Sequence, residues 1–275
     1  MLSKCFGASA IALLFVLPAL AQGSSPATVE LAAPSTAVVR PREHGPRRAA
    51  GLAPDRVIGD VSVAESNNWS GYAVTGSQFT QAKGSWIVPA VDCTAVPNSS
   101  ASFWVGIDGW VTDTVEQTGT DSDCDDERPT YYAWYEFAPR GGVTISSVPV
   151  EPGDQMSGEI SYDDPYFTVT ITNETTGKSF TTSSTVAGAR RSSAEWIAEL
   201  NSYRLSDFGT VPFGADYTYV SGTNSAVDSS TSGQISDFGK HVWQSILAAG
   251  KGVQEAVPSS LSSDGSSFTV TWKSD

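Results

Sequence analysis

From residue 57 onward the chain is written in short alternating or aromatic-rich runs divided by Gly, Ser, Asp and Pro. A period of two belongs to strands that bury one face and wet the other. Strands are predicted over 69–74, 84–88, 101–108, 131–137, 166–173 and 267–272. In the last of these, Phe268, Val270 and Trp272 alternate with Thr269 and Thr271. Periodicity of 3.6 residues is scarce, and only 241–249 predicts a short helix. There is no internal repeat. The pattern is that of an all-β, antiparallel sandwich or barrel.

Two strands break the rule of polar residues outward. In 101–108, Phe103, Val105 and Ile107 form one face, whereas Trp104, Gly106 and Asp108 form the other. In 131–137, Tyr132, Trp134 and Glu136 share a face opposite Tyr131, Ala133, Tyr135 and Phe137. An indole beside a carboxylate suggests a concave sheet surface that holds a ligand. The competing reading is a further layer of sheet covering those tryptophans.

The N-terminus has a different character. Lys4, an apolar run over about 8–20 and the Ala19-Leu20-Ala21 tripeptide form an export signal, expected to occupy 1–21 and to send the protein out of the cell. The run is short for the roughly 20 residues of a membrane span. Residues 22–56 are rich in Ala, Pro and Arg and cannot build a core alone. Residues 1–56 carry six Lys plus Arg against three Asp plus Glu, whereas 57–275 carry ten against 27, a net charge of −17. A basic leader before an acidic body is expected to be a prosegment held partly by charge; a plain linker is the alternative. Residues 57–275 suffice for one domain with a single core. Their acidity argues against nucleic acid or an anionic membrane as partner, and suits an enzyme working in acid.

Cys93 and Cys124 form an even pair in an oxidising compartment and are expected to be disulfide-bonded. Their thiols are then lost to catalysis and to metal binding. One histidine, His241, remains in the body and is expected at the surface, so a zinc site is not expected. No Gly-x-Ser-x-Gly elbow, phosphate-binding glycine loop, Asp-Thr-Gly or Asp-Ser-Gly occurs. Carboxylates and amides remain. Glu136, Glu195 and Glu199 could pair for glycoside hydrolysis. Ser192 to Glu195 also fits a helix capping box. Asp121, Asp123, Asp125, Asp126 and Glu127 lack the spacing of a calcium loop and read as a solvated acidic loop.

Five blocks occur in order: Asn68-Trp69-Ser70-Gly71, Trp104-Val105-Gly106-Ile107-Asp108-Gly109, Gln117-Thr118-Gly119-Thr120-Asp121, Ala133-Trp134-Tyr135-Glu136 and Ala194-Glu195-Trp196-Ile197-x-Glu199. In this order the chain resembles the glutamic peptidases, or eqolisins. The resemblance implies a sandwich of two large antiparallel sheets, similar to concanavalin-type lectins, with a polypeptide substrate lying across the concave sheet. It also implies an acid endopeptidase acting as a monomer without cofactor. Catalysis would fall to Gln117 and Glu195, and the substrate groove to Trp69, Trp104, Asp108, Asp121, Trp134 and Glu136. The chain departs from the family at Phe137-Ala138-Pro139, where Ala138 replaces an aromatic that could border the substrate pocket. The rival class is a carbohydrate-binding sandwich using Trp104, Trp134 and Glu136.

Overall fold

Eighteen short strands run through the described part of the chain. The first nine are β1 (Arg56–Ile58), β2 (Val61–Ser66), β3 (Trp69–Thr75), β4 (Gln81–Ile87), β5 (Ser100–Ile107), β6 (Glu116–Asp125), β7 (Arg128–Phe137), β8 (Arg140–Ile145) and β9 (Gln155–Asp163). The rest are β10 (Tyr166–Asn173), β11 (Lys178–Ser184), β12 (Ser193–Glu199), β13 (Thr210–Phe213), β14 (Ser225–Val227), β15 (Ser232–Gln234), β16 (Val242–Ala249), β17 (Val253–Pro258) and β18 (Phe268–Trp272). The computed structural model describes residues 44–47, 53–249 and 252–275, all within one compact unit, Thr36–Asp275. The export signal and most of the leader expected from the sequence lie outside the described residues.

The strands form two sheets. One has the order β1–β2–β16–β3–β12–β5–β6–β7–β8, antiparallel except for β2 beside β16. The other runs β17–β18–β13–β4–β9–β10–β11, with β14 sharing an edge of β4 with β13 and β15 lying beyond it. The end of β16 pairs with β17, which joins the two sheets along one side. The chain is thus an antiparallel β-sandwich.

Between the layers, Phe103, Val105 and Ile107 of β5 and Trp196 of β12 meet Trp86 of β4, Met156 and Ile160 of β9, and Val169 of β10. Full burial of each large apolar side chain contributes about 1.5–3 kcal/mol. The indole N–H groups that go inside are satisfied: Trp86 donates to Thr120 Oγ1 at 2.8 Å, and Trp196 to the Lys83 carbonyl at 2.7 Å. Every residue of β5 and of β12 is buried. Both strands are covered on two faces, which is why they carry aromatic residues at both parities.

Two expectations are corrected here, and one alternative reading falls. Residues 242–249 form the strand β16, not a helix, and His241 ends a preceding 3-10 turn, exposed. A short apolar run does not distinguish the two states by its own period; pairing on both edges, to β2 and β3, decides it. Glu195 lies within a strand, so the capping box is not formed. Asp121 and Asp123 are buried in β6, and only 125–127 are exposed acidic turn.

Cys93, in the loop before β5, is bonded to Cys124 near the end of β6. The bridge closes a sequence separation of 31 residues, which removes about 3–4 kcal/mol of chain entropy from the unfolded state. A variant with both cysteines changed to serine should lose stability of that order in a urea melt, with the strand content of the folded protein unchanged by circular dichroism.

Candidate active site

The face of the first sheet turned away from the second carries the unusual polar and indole residues, and its layout follows from strand register. Residues directly opposite on neighbouring strands point to the same side. Glu195 of β12 lies opposite Gly106 of β5, Gly106 opposite Gln117 of β6, and Gln117 opposite Glu136 of β7. One step along the strands, Ile197, Trp104, Gly119 and Trp134 form a second row, and Glu199, Ser102, Asp121 and Tyr132 a third. Three rows of side chains therefore stand side by side. Glu195 and Gln117 are in the same row, two strand spacings or about 10 Å apart at their Cα atoms.

Gly106 keeps the space between them clear. A Cβ there would stand 2.9 Å from Trp104 Cζ3 and 3.2 Å from Gln117 Cβ. Gly119 has the same role in the second row, where a Cβ would sit 2.4 Å from the Phe103 carbonyl oxygen and 2.9 Å from Trp134 Cζ2. The indoles can lie flat and close only because these two positions have no side chain.

Gln117 is fully buried, and its amide is oriented by its neighbours. Nε2 donates to Glu136 Oε2 at 3.1 Å and to the main-chain carbonyl of His44 at 2.7 Å. Oε1 accepts from no protein group. Asp121 Oδ1 accepts from Ser102 Oγ at 2.5 Å, and Oδ2 from the Tyr132 hydroxyl at 2.8 Å. Trp69 meets Trp104 edge to face at 4.9 Å. Glu199 accepts from Trp104 Nε1 at 2.9 Å and from Asn68 Nδ2 at 3.1 Å, which fixes the indole.

Asp108 has a different place. Its Oδ2 accepts from the main-chain N–H groups of Arg190 and Arg191 at 2.8 and 2.6 Å, and Oδ1 from Ser192 N at 2.9 Å. The carboxylate organises the turn that leads into β12, and so sets the position of Glu195 instead of facing the groove. The resemblance had grouped it with the groove-lining and supporting positions, and its hydrogen bonds are those of a supporting residue.

Residues 44–47 lie across this face. The His44 imidazole stacks on Trp134 with ring centres 3.7 Å apart and planes 3° from parallel. Trp69 Nε1 donates to the Gly45 carbonyl at 3.2 Å and Asn68 Nδ2 to the Pro46 carbonyl at 3.2 Å. Arg47 N donates to the Gly109 carbonyl, its Nη2 donates to the Glu65 carbonyl, and its guanidinium lies 4.1 Å from the Trp110 ring centre. The cover over the tryptophans is thus residues 44–47, and not the further layer of sheet that was the competing reading. Arg47 is held by carbonyls and an indole, with the Asp55 carboxylate adding attraction.

Three carboxyls are pushed towards the neutral form. Burial raises Glu195 well above the ordinary carboxyl range, with Asp108 and Glu116 adding repulsion; its oxygens make no well-formed hydrogen bond, although the nearby Ser193 hydroxyl favours the charge. Burial, with repulsion from Glu136, raises Glu199 in the same way, against the bonds from Trp69, Trp104 and Asn68. Glu116 is raised to about 9 by burial and by Asp108, opposed by Arg140. Neither Glu116 nor the groove residues Ser102 and Asn201 were singled out from the sequence. Ser102 shares its parity with Trp104 and could have been; Asn201 lies in a loop with no local signal. Among the described residues no group of three or more His, Cys, Asp or Glu is placed to hold a metal.

These shifts have a sign in stability. Between about pH 4.5 and 9 the folded protein keeps a proton on Glu116 that the unfolded chain has released. The contribution is complete below about pH 4.5 and is lost as the pH rises towards 9. Urea midpoints should therefore fall steadily from pH 4 to pH 8, and Glu116→Gln should flatten part of that fall.

The Peptidase A4 family model matches residues 67–254. Aspergillopepsin-2 of Aspergillus niger is 31% identical over 232 residues, covering 70% of this chain and 82% of the relative. Scytalidopepsin B of Scytalidium lignicola is 32% identical over 194 residues, covering 66% and 72%. A crystal structure of scytalido-glutamic peptidase with a transition state analog inhibitor superposes with a TM-score of 0.61 at 23% identity, over 75% of this chain and 98% of that one, and shares the fold. With the family model spanning all five sequence blocks, the chain belongs to the Peptidase A4 family and is a glutamic endopeptidase.

Proposed function

We propose that the protein is exported, carries residues 22–56 as a prosegment, and cuts polypeptides in acid with Glu195 and Gln117. Glu195 takes a proton from water as the oxygen attacks the peptide carbonyl. Gln117 Nε2–H donates to the oxygen that becomes negative, and the proton passes from Glu195 to the departing amine as the C–N bond breaks. A carboxylate suits this work at a pH where imidazole is already protonated. An amide suits the other role because it donates without ionising.

What carries the reading is one contact: Gln117 Nε2 already donates to a main-chain carbonyl, that of His44, at 2.7 Å. A donor buried in a groove and aimed at a peptide oxygen is what an oxyanion site requires. Glu136 supports it by occupying the other amide hydrogen, and Oε1 is left to accept from a water. Glu195 is buried, and a carboxyl held neutral takes no proton from water, so solvent has to reach it before it can act as the base.

Casein digested at about pH 3 to 4, where a glutamate near its ordinary value is partly ionised, should be cleaved by the wild-type chain. Glu195→Gln should reduce this to background, and Gln117→Ala should lower kcat by about 10²–10³-fold, the usual loss of one oxyanion donor. Wild-type rates in either folded variant would remove the assignment. Gly106→Ala, which places a methyl group between the two, should cost about 10²-fold in kcat while the circular dichroism is kept. Precursor carrying Glu195→Gln should retain its leader in acid, whereas the wild type should process itself near residues 50–60; processing of the variant alone would exclude self-cleavage.

A further inference from the structure

Three successive main-chain carbonyls of residues 44–46 each meet a donor. Gln117 Nε2 donates to that of His44 at 2.7 Å, Trp69 Nε1 to that of Gly45 at 3.2 Å and Asn68 Nδ2 to that of Pro46 at 3.2 Å. Behind the last two donors stands one side chain, Glu199, which is 1% exposed. Its Oε1 accepts from Asn68 Nδ2 at 3.1 Å and its Oε2 from Trp104 Nε1 at 2.9 Å. Trp69, opposite it on β3, has its indole N–H within reach of the same carboxyl. Ser66 Oγ donates to Asn68 Oδ1 at 3.1 Å, so the amide is gripped at both ends and keeps its nitrogen towards Pro46. β12 therefore carries Glu195 and, four residues later on the same face, the group that orients these donors.

We propose that Glu199 is a positioning residue that sets the register of a polypeptide on this sheet, by aiming Trp69 and Asn68 at the two carbonyls that follow the one facing Gln117, on the leaving-amine side of the bond to be cut. The proposal rests on the reading of Gln117 as the donor to the attacked carbonyl. Glu199 stands in the third row of side chains, two steps along the strands from the row of Glu195 and Gln117, so it acts on the reaction through where the chain lies. The residue type follows from its neighbours. Asn68 Nδ2 and Trp104 Nε1 are both donors, and a carboxyl meets them with two oxygens where a carboxamide has one. Burial, with repulsion from Glu136, favours the neutral acid. Glu199→Gln therefore keeps the charge and nearly the shape, and turns one of the two acceptors into an NH2 set against a donor.

The test uses the full chain after incubation at about pH 4, where a glutamate near its ordinary value is partly ionised. The substrates are peptides identical up to the cut that continue for one or for three residues beyond it as C-terminal amides, with products separated by chromatography. In the wild type the longer peptide should have the lower KM, by about threefold to tenfold, the worth of one hydrogen bond. In Glu199→Gln that advantage of length should vanish, with kcat on either peptide within about twofold of the wild type, because binding common to ground and transition states appears in KM. Asn68→Ala should lose the same advantage, and adding Glu199→Gln to it should raise KM no further. An advantage of length that survives in either single variant would overturn the proposal, as would a fall in kcat at unchanged KM in Glu199→Gln. Should circular dichroism show Glu199→Gln unfolded, Asn68→Ala decides alone. Casein and both peptides left uncut by the wild type would instead count against the peptidase reading.

Discussion

The structure depends on one register. Glu195, Gly106, Gln117 and Glu136 are opposite one another on four consecutive strands. A slip by one residue of any of them would send its side chain through the sheet to the other layer. The core prevents the slip. Phe103, Val105, Ile107 and Trp196 occupy the intervening positions and are packed between the sheets, so the forces that stabilise the sandwich also fix which polar groups face the groove. The geometry of this polar row is in this sense a by-product of the alternation that makes the fold.

Keeping acidic groups in such a groove has a cost, and the protein offsets it in two ways. Some carboxylates are surrounded by donors: Asp108 by three main-chain N–H groups, Asp121 by Ser102 and Tyr132. Others, Glu116, Glu195 and Glu199, are held towards the neutral acid by burial. The second group is at ease only where it is protonated. Low pH therefore stabilises the fold, whereas the base proposed at Glu195 has to be ionised, so the two demands pull in opposite directions.

Much of this was legible in the chain. Strand parity put Trp104, Gly106, Trp134 and Glu136 on one face, because alternation is a property of local sequence. Which strands are neighbours is not local, so nothing in the residues themselves set Glu195 opposite Gly106; that came from the resemblance of the blocks. The failures have the same origin. Residues 242–249 became a strand because β2 and β3 supply hydrogen bonds on both edges. Asp121 and Asp123 looked like solvated loop because their partner, the Tyr132 hydroxyl, stands on another strand. Asn201 is in a loop whose position only tertiary contacts decide.

Residues 44–47 are a described part of the stretch that its charge sets apart from the acidic body. What binds residues 44–47 is main-chain recognition by Gln117, Trp69 and Asn68, with an imidazole and a guanidinium laid on indoles. These are interactions any extended polypeptide can make with the groove, given suitable side chains. A row of indoles open to water would be an apolar patch prone to association, so a segment that covers it in the manner of a substrate solves two problems at once.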